Sequence, residues 1–322
     1  MQQLEAYSAL VEESVNSLEF PSQPANLYDP LRYFMTLGGK RMRPILTLMG
    51  AELFGVKKEE ALSAAMAVEV FHNFTLIHDD IMDEAPLRRG KQTVHTKWNR
   101  NIAILSGDVL FVKAYQLLAE QDNSQLPDLL QLFNRTAIEV CEGQQMDMDF
   151  ESRSDVQQKE YIEMIRLKTS VLLGCALELG AIVADADHND RKNIYDFGQY
   201  LGIAFQIQDD ILDLYADPEK FGKQVGGDVI SNKKTLLNLK AFELADSAEK
   251  ELLKQLSTES DLVFKVERTR ELYTLIGARE ACETVMQEYY TKAMNALMAV
   301  HVPEQSRVPL IALADMLMVR NS

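Results

Sequence analysis

Two short stretches each carry three carboxylates at helical spacing: Leu76-Ile77-His78-Asp79-Asp80-Ile81-Met82-Asp83 and Ile207-Gln208-Asp209-Asp210-Ile211-Leu212-Asp213. In each, the first and last aspartates are four apart and share a helix face, with the middle one close to it. Each triplet follows an apolar run, Ala61 to Ile77 or Tyr195 to Phe205, and precedes a break, at Pro86 or at Asp217-Pro218. Like charges at this spacing repel, and a helix C-terminus already carries partial negative charge. A compensating cation would relieve that cost. Aspartate oxygens suit Mg²⁺, which takes one or two carboxylates and fills its remaining positions with water and phosphate oxygens. One such cluster is as well explained by a solvated acidic helix end, but its recurrence favours a shared task. Facing each other across a bundle, the two triplets could hold Mg²⁺ ions with a diphosphate between them.

Basic residues that could meet such an anion lie nearby in the sequence. Gly38-Gly39-Lys40-Arg41-Met42-Arg43-Pro44 combines backbone that a ligand can approach closely with a point charge, Lys40, and a planar fork, Arg43. His72 precedes Asp79 by two helical turns and faces the same way, so it could donate to a second phosphate. His78 reads as structural. Past the break, Arg88-Arg89-Gly90 sets two guanidiniums pointing in different directions, suited to two different anions.

The elements that must position these groups are helices. Glycine and proline are sparse, at 15 and 9, and alternation of β-branched residues is hard to find, which predicts an all-α chain with short connections. A hydrophobic content of 47% supports a large core, and the absence of a low-complexity linker predicts a single domain over 1–322. The pattern predicts a first helix near Leu4 to Leu18, a loop from Pro21 to Pro30 and a closing apolar helix from Val308 to Arg320. Net charge of -16 argues against nucleic acid as a partner. No uncharged apolar run reaches the length of a membrane span, and the first residues lack the pattern of a signal peptide. Cys141, Cys175 and Cys282 are far apart, as reduced thiols of a cytoplasmic protein would be.

The ordered set of motifs resembles the trans-isoprenyl diphosphate synthases, the polyprenyl synthase family, along almost the whole chain. It comprises Gly39-Lys40-x-x-Arg43-Pro44, His72, Asp79-Asp80-x-x-Asp83, Arg88-Arg89-Gly90, Lys168-Thr169, Gln206-x-x-Asp209-Asp210-x-x-Asp213 and Gly222-Lys223 through Gly226-Gly227-Asp228 to Lys233. The resemblance implies a helical bundle around a deep central cavity, a homodimer and a cluster of three Mg²⁺ ions held by Asp79, Asp80, Asp83, Asp209, Asp210 and Asp213. It implies that Lys40, Arg43, His72 and Arg89 hold isopentenyl diphosphate. Arg88, Lys168, Lys223, Gln206 and Lys233 would hold the allylic diphosphate, be it dimethylallyl, geranyl or farnesyl. Thr169 would lie near the reacting carbons, Gln144 would line the cavity, and Asp147 would stand behind the substrate contacts. The segment after Gly222 would be a flap that orders on diphosphate.

Product length would be set by what closes the cavity below Asp79. Phe74 lies five residues earlier, about 7.5 Å down the helix. Thr75 is its smaller neighbour and Phe71 sits about one turn deeper. This pairing resembles enzymes that stop at twenty carbons, with fifteen carbons as the alternative. Two other classes compete. A class I terpene cyclase would not need Lys40, Arg43 and Arg89, and a silent partner subunit would be expected to have lost one aspartate triplet.

Overall fold

The structure is a computed structural model that describes residues 2–216 and 225–318. It is 78% helical, so the all-α expectation holds. The helices are α1 (Gln2–Asn16), α2 (Ala25–Met35), α3 (Met42–Leu53), α4 (Leu62–Met82), α5 (Val94–Lys97), α6 (Arg100–Leu118), α7 (Leu126–Ser152) and α8 (Gln158–Ile165). They continue as α9 (Val171–Val183), α10 (His188–Tyr215), α11 (Gly227–Ile230), α12 (Leu236–Leu244), α13 (Ser247–Ser257), α14 (Leu262–Ile276), α15 (Ala278–Met298) and α16 (Glu304–Met318). A π-helical turn, Arg166–Ser170, joins α8 to α9. Among the described residues the only sheet is a hairpin of β1 (Leu87–Arg88) and β2 (Lys91–Gln92), paired Leu87 to Gln92 and Arg88 to Lys91.

One expected boundary is corrected. The stretch from Pro21 to Pro30 is not all loop, because α2 begins at Ala25 and carries Pro30 inside it. The helix forgoes one hydrogen bond at that proline, whose ring is buried along with Leu31, Phe34 and Met35.

The chain divides into two compact units. The first comprises residues up to Asn134, Cys175–Lys192 and Val302–Ser306; the second comprises Arg135–Gly174, Asn193–His301 and residues from Arg307 onward. The divisions fall inside α7, α9, α10 and α16 and between α15 and α16. In the first unit α4 lies against α3 and α6. Its residues from Ala64 to Phe71 are all buried, including Glu69. That packing fixes the helix whose last turn carries the first aspartates. In the second unit Ile203, Ile207, Ile211 and Leu214 of α10 join Tyr161, Ile165, Leu236, Leu237 and Cys282 in one apolar cluster. The spacing of those α10 residues turns Asp209 and Asp213 to another face, while Asp210 is buried beside the cluster.

Among the described residues, α6 alone is long and apolar enough to cross a membrane by length and composition. It carries Asp108 and Lys113, and Ala103, Ser106, Gly107, Leu110 and Ala114 are buried. Its other side leaves Ile104, Leu105 and Val112 between 40% and 58% exposed. The closing helix buries Leu310, Leu313, Ala314 and Leu317 as expected.

Candidate active site

At the end of α4 the predicted triplet is in place, with Asp83 as the C-cap and its N–H donating to the Asp79 carbonyl at 2.9 Å. The chain then reverses through the hairpin, whose two turn residues, Arg89 and Gly90, have φ of 52° and 74°. Positive φ at both positions matches the twist of a two-residue hairpin. It also separates the paired arginines. Arg88 turns back to α4, where Nε donates to Asp80 Oδ1 at 2.8 Å and Nη2 to Asp79 Oδ2 at 3.1 Å. Arg89 instead donates through Nη1 to the Gly38 carbonyl.

The cation demanded by the carboxylate spacing is therefore, in the protein alone, Arg88. Asp80 is 1% exposed, and burial raises its pKa against the opposing pull of Arg88. Its Oδ2 is buried without a hydrogen-bond partner. An orphaned carboxylate oxygen beside a second carboxylate suits a hard cation. Among the described residues no three His, Cys, Asp or Glu side chains gather as a ready-made metal cage. Mg²⁺ does not require one, since it keeps waters and draws further ligands from phosphate. The residues therefore fit that ion.

The basic loop before α3 forms the second part of the site. Gly38 and Gly39 have φ of 77° and 146°, and a Cβ on Gly39 would lie 2.9 Å from Arg89 Nη2, so only glycine admits the guanidinium here. Arg41 follows in the left-handed region at φ 47° and is buried. It is held by Glu69 at 2.5 Å, Glu12 at 3.1 Å and the Met35 carbonyl at 2.8 Å. Asn73 also donates to Glu69, at 2.9 Å. This buried pair fixes the loop that presents Lys40, whose side chain is exposed.

Arg43 Nη1 lies 3.1 Å from His72 Nε2. A guanidinium can only donate, so that nitrogen accepts and the neutral ring carries its proton on Nδ1. Burial, then Arg43, Arg89, Arg88 and Arg41, hold the His72 pKa well below 6.5. Burial, with Arg89 adding to it, lowers Arg43 to about 10. Arg43 Nε is buried without a hydrogen-bond partner. Arg43 and Arg89 thus set like charges against each other and against His72 in a chain whose net charge is -16, with Lys40 exposed on the adjoining loop.

In the second unit the π-helical turn carries Lys168 and Thr169. Such a turn inserts one residue into a helix and often marks a functional position. Lys168 Nζ meets Asp147 Oδ2 at 2.6 Å. A Cβ on Gly143 would collide with the Lys168 backbone nitrogen, so this glycine lets α7 approach the turn. Gln144 is half-buried, and its Nε2 lacks a hydrogen-bond partner.

Along α10, Asp209 and Asp213 are half-buried. Asp213 Oδ2 accepts from the Asp228 backbone N–H at 3.0 Å, and its carbonyl accepts from Gly226 at 2.6 Å. Asp210, expected among the metal ligands, has a different setting from its two neighbours in the triplet. It is 6% exposed, its Oδ2 accepts from the Tyr161 hydroxyl and its Oδ1 accepts from Gln206 Nε2 at 3.3 Å. Burial raises its pKa to about 7. Both oxygens are engaged and the group is buried. Gln206, expected at the allylic substrate, faces Asp210. Lys233 is 57% exposed, 3.8 Å from Asp228. Lys223 and the start of the expected flap lie outside the described residues.

Below the first aspartates, Phe74 is half-buried, and its ring stacks on Phe111 of α6 with centroids 5.0 Å apart and planes at 21°. Phe71, 1% exposed, lies behind them and meets Phe133 edge-on at 5.1 Å. Tyr115 extends the cluster to Phe111 and Phe133. Thr75 turns its hydroxyl to the His72 carbonyl at 2.8 Å. His78, read as structural, donates from Nε2 to the Ile104 carbonyl, 3.1 Å away.

A model of the polyprenyl synthetase family matches residues 24–276. The chain belongs to that family. It is 39% identical over 315 residues to a geranylgeranyl pyrophosphate synthase of Geoglobus acetivorans, covering 97% of this chain and 96% of the relative. A crystal structure of a geranylgeranyl pyrophosphate synthase superposes with a TM-score of 0.94 at 46% identity and 99% coverage of each chain. A geranylfarnesyl diphosphate synthase of Natronomonas pharaonis is 40% identical over 254 residues, covering 72% of this chain and 73% of the relative.

Three residues in contact with Arg41, Asp210 and Phe74 escape a reading by spacing: Glu69, Tyr161 and Phe111. A buried acid on an otherwise apolar α4 was the available signal for Glu69. Removing its charge with Glu69→Gln leaves Arg41 without its buried partner and should cost about 3 kcal/mol of stability in urea unfolding. A pH effect follows from His72. Its native pKa lies below the 6.5 of the unfolded chain, so between those values only the unfolded state binds the proton. The stability it contributes is present above 6.5 and lost as pH falls toward the native pKa. Urea midpoints at about pH 7.5 and about pH 5.5 should therefore drop more in the wild type than in His72→Asn.

Proposed function

We propose that this chain is a short-chain all-trans polyprenyl diphosphate synthase that joins isopentenyl diphosphate to an allylic diphosphate and ends at twenty carbons, geranylgeranyl diphosphate. The observation that carries the reading is the positive pair of Arg43 and Arg89 beside neutral His72, with Lys40 exposed on the adjoining loop, within a strongly acidic chain and close in sequence to an aspartate triplet. A cyclase, which takes one diphosphate substrate, would have no use for that second anion site. Residues 1–322 act on this reading as one synthase domain with a central cavity.

Lys40, Arg43 and Arg89 hold the diphosphate of isopentenyl diphosphate through charge-assisted hydrogen bonds, and His72 donates from Nδ1. The allylic diphosphate is met by Lys168 and Lys233, with Lys223 in addition. Asp79, Asp80 and Asp83 with Asp209 and Asp213 would hold Mg²⁺, three ions in all, which neutralises diphosphate charge when bound. Arg88 exchanges its carboxylate partners for phosphate oxygens as that charge arrives.

The allylic carbon–oxygen bond breaks, and the charge left on the diphosphate is stabilised by preorganised cations. The isopentenyl double bond attacks the allylic cation, and the proton lost from the adduct passes to the released diphosphate. Thr169 and the Gln144 amide offer polar groups at the reacting carbons. Apolar walls keep water from the cation.

The stacked Phe74 and Phe111 rings, backed by Phe71, support a twenty-carbon limit, while Phe71 itself is too deeply packed to meet a growing chain before Phe74 yields. The exposed apolar side of α6, with Ile104, Leu105 and Val112, supports a homodimer that covers it. Three free thiols support a cytoplasmic place.

Incubation with Mg²⁺, isopentenyl diphosphate and dimethylallyl diphosphate, followed by sizing of the hydrolysed alcohols, should give a twenty-carbon product. Phe74→Ala and Phe111→Ala should each lengthen it by one or more five-carbon units. A fifteen-carbon product would place the floor higher, and no elongation with any allylic starter would sink the synthase reading. Arg43→Ala should raise KM for isopentenyl diphosphate by about tenfold to a hundredfold, the range for a lost charge-assisted contact, with a smaller change for the allylic partner.

A further inference from the structure

Lys265 stands on α14, among helices whose sequence reads as purely structural. It is 3% exposed. Its ammonium donates to the Asn232 Oδ1 at 2.9 Å, to the Ile230 carbonyl at 3.3 Å and to the Ser257 carbonyl at 3.3 Å. Three N–H donors thus meet three neutral oxygens. Among the described residues no carboxylate pairs with it, and burial lowers its pKa without an opposing acid. A buried charge without a counter-charge is costly, and an apolar side chain of the same length would fill the slot more cheaply. The cost indicates that the ammonium is there for what it holds.

Two of its acceptors are carbonyls at helix C-termini, Ile230 ending α11 and Ser257 ending α13, where a cation is favoured. The third is the side chain of Asn232, a residue at φ 53°. Between Ile230 and Lys233 the chain folds back on itself, with the Lys233 N–H donating to the Asp228 carbonyl at 2.9 Å. A second contact presses this segment onto the same helix, because a Cβ on Gly226 would lie 2.5 Å from Val266, the residue after Lys265. At its start the segment is tied to Asp213 through the N–H groups of Gly226 and Asp228. The turn bearing Lys233 is therefore pinned at one end to an aspartate of the second triplet and at the other to Lys265.

Lys265 also lines a cavity of about 260 Å³, together with Lys233, Lys234, Asn232 and Tyr273. With all its donors engaged, it holds the wall of that cavity and has none left for a ligand.

We propose that Lys265 is a positioning residue for the condensation, a buried clamp that sets the turn from which Lys233 reaches the allylic diphosphate. This rests on the assignment of Lys233 to that substrate. The clamp acts on one substrate and through one residue, which separates it from a general structural role.

The test is a double-mutant cycle with Lys233→Ala and Lys265→Met, measuring kcat and the KM values for farnesyl diphosphate and isopentenyl diphosphate, with Lys265→Arg as the conservative variant. Lys265→Met should raise KM for farnesyl diphosphate by about tenfold, as misplacement of a binding group does, and leave that for isopentenyl diphosphate within about twofold. Added to Lys233→Ala it should change the farnesyl KM by less than about twofold, because both act through one group. Lys265→Arg should recover most of the loss.

If Lys265→Met fails to fold by circular dichroism, Asn232→Ala removes one acceptor of the clamp and should raise the farnesyl KM about threefold, again only while Lys233 is present. An effect that adds in full to Lys233→Ala, or that raises both KM values alike, overturns the clamp while leaving the assignment of Lys233 intact. A normal farnesyl KM in Lys233→Ala overturns that assignment and the clamp with it.

Discussion

Two carboxylates in the last turn of a buried helix repel each other and the helix dipole, and the bridge from Arg88 to Asp79 and Asp80 is what makes that turn tenable in the protein alone. The same constraint recurs at two of the lysines proposed to meet the allylic diphosphate. Lys168 leans on Asp147, and Lys233 faces Asp228. Each charge has a carboxylate or guanidinium partner within the protein, which on the proposed function an incoming anion or cation would replace. The exceptions are Arg43 at the start of α3 and Arg89 in the hairpin. Arg41 takes the buried Glu69, so that Arg43 and Arg89 are left to repel one another and depress His72. Holding like charges together in this way requires a rigid frame, and the buried faces of α3 and α4 supply it.

The frame is strained where it serves the site. Arg41 and Arg89 occupy left-handed backbone without being glycine, and each is held there by hydrogen bonds from its own guanidinium. Residues in such regions persist only where their surroundings over-determine them. The effect is to turn consecutive basic residues in opposite directions: Arg41 inward and Lys40 outward, Arg88 to the aspartates and Arg89 to Gly38.

Local periodicity made part of this legible in the sequence. Apolar spacing fixed α4 and α10, and the placing of Asp79, Asp83, Asp209 and Asp213 on them followed from the 3.6-residue turn. What the spacing could not give is pairing between distant elements. Nothing in the neighbourhood of Asp210 announces Tyr161, forty-nine residues away, so a carboxyl in the right motif register turned out to be buried and engaged. Phe111 meets Phe74 only because α6 lies on α4. Lys265 on an amphipathic helix looks like an ordinary solvated lysine, and only its three acceptors distinguish it. The proline-rich stretch misled in the other direction, since Pro30 is accommodated in α2 by burying its ring.

The π-helical turn at Arg166–Ser170 has a further consequence, for how this chain can change over evolutionary time. One extra residue in a helix advances every later side chain by about 100° around the axis. The helical run from Gln158 to Val183 therefore has two registers, one for the packing of α8 and one for that of α9, with Lys168 at the join. A single-residue deletion anywhere in that join would leave the run an uninterrupted α-helix, while swinging Lys168 or the buried face of α9 a quarter-turn out of place. Among chains that retain this lysine, the join should therefore tolerate substitution but not a change in length.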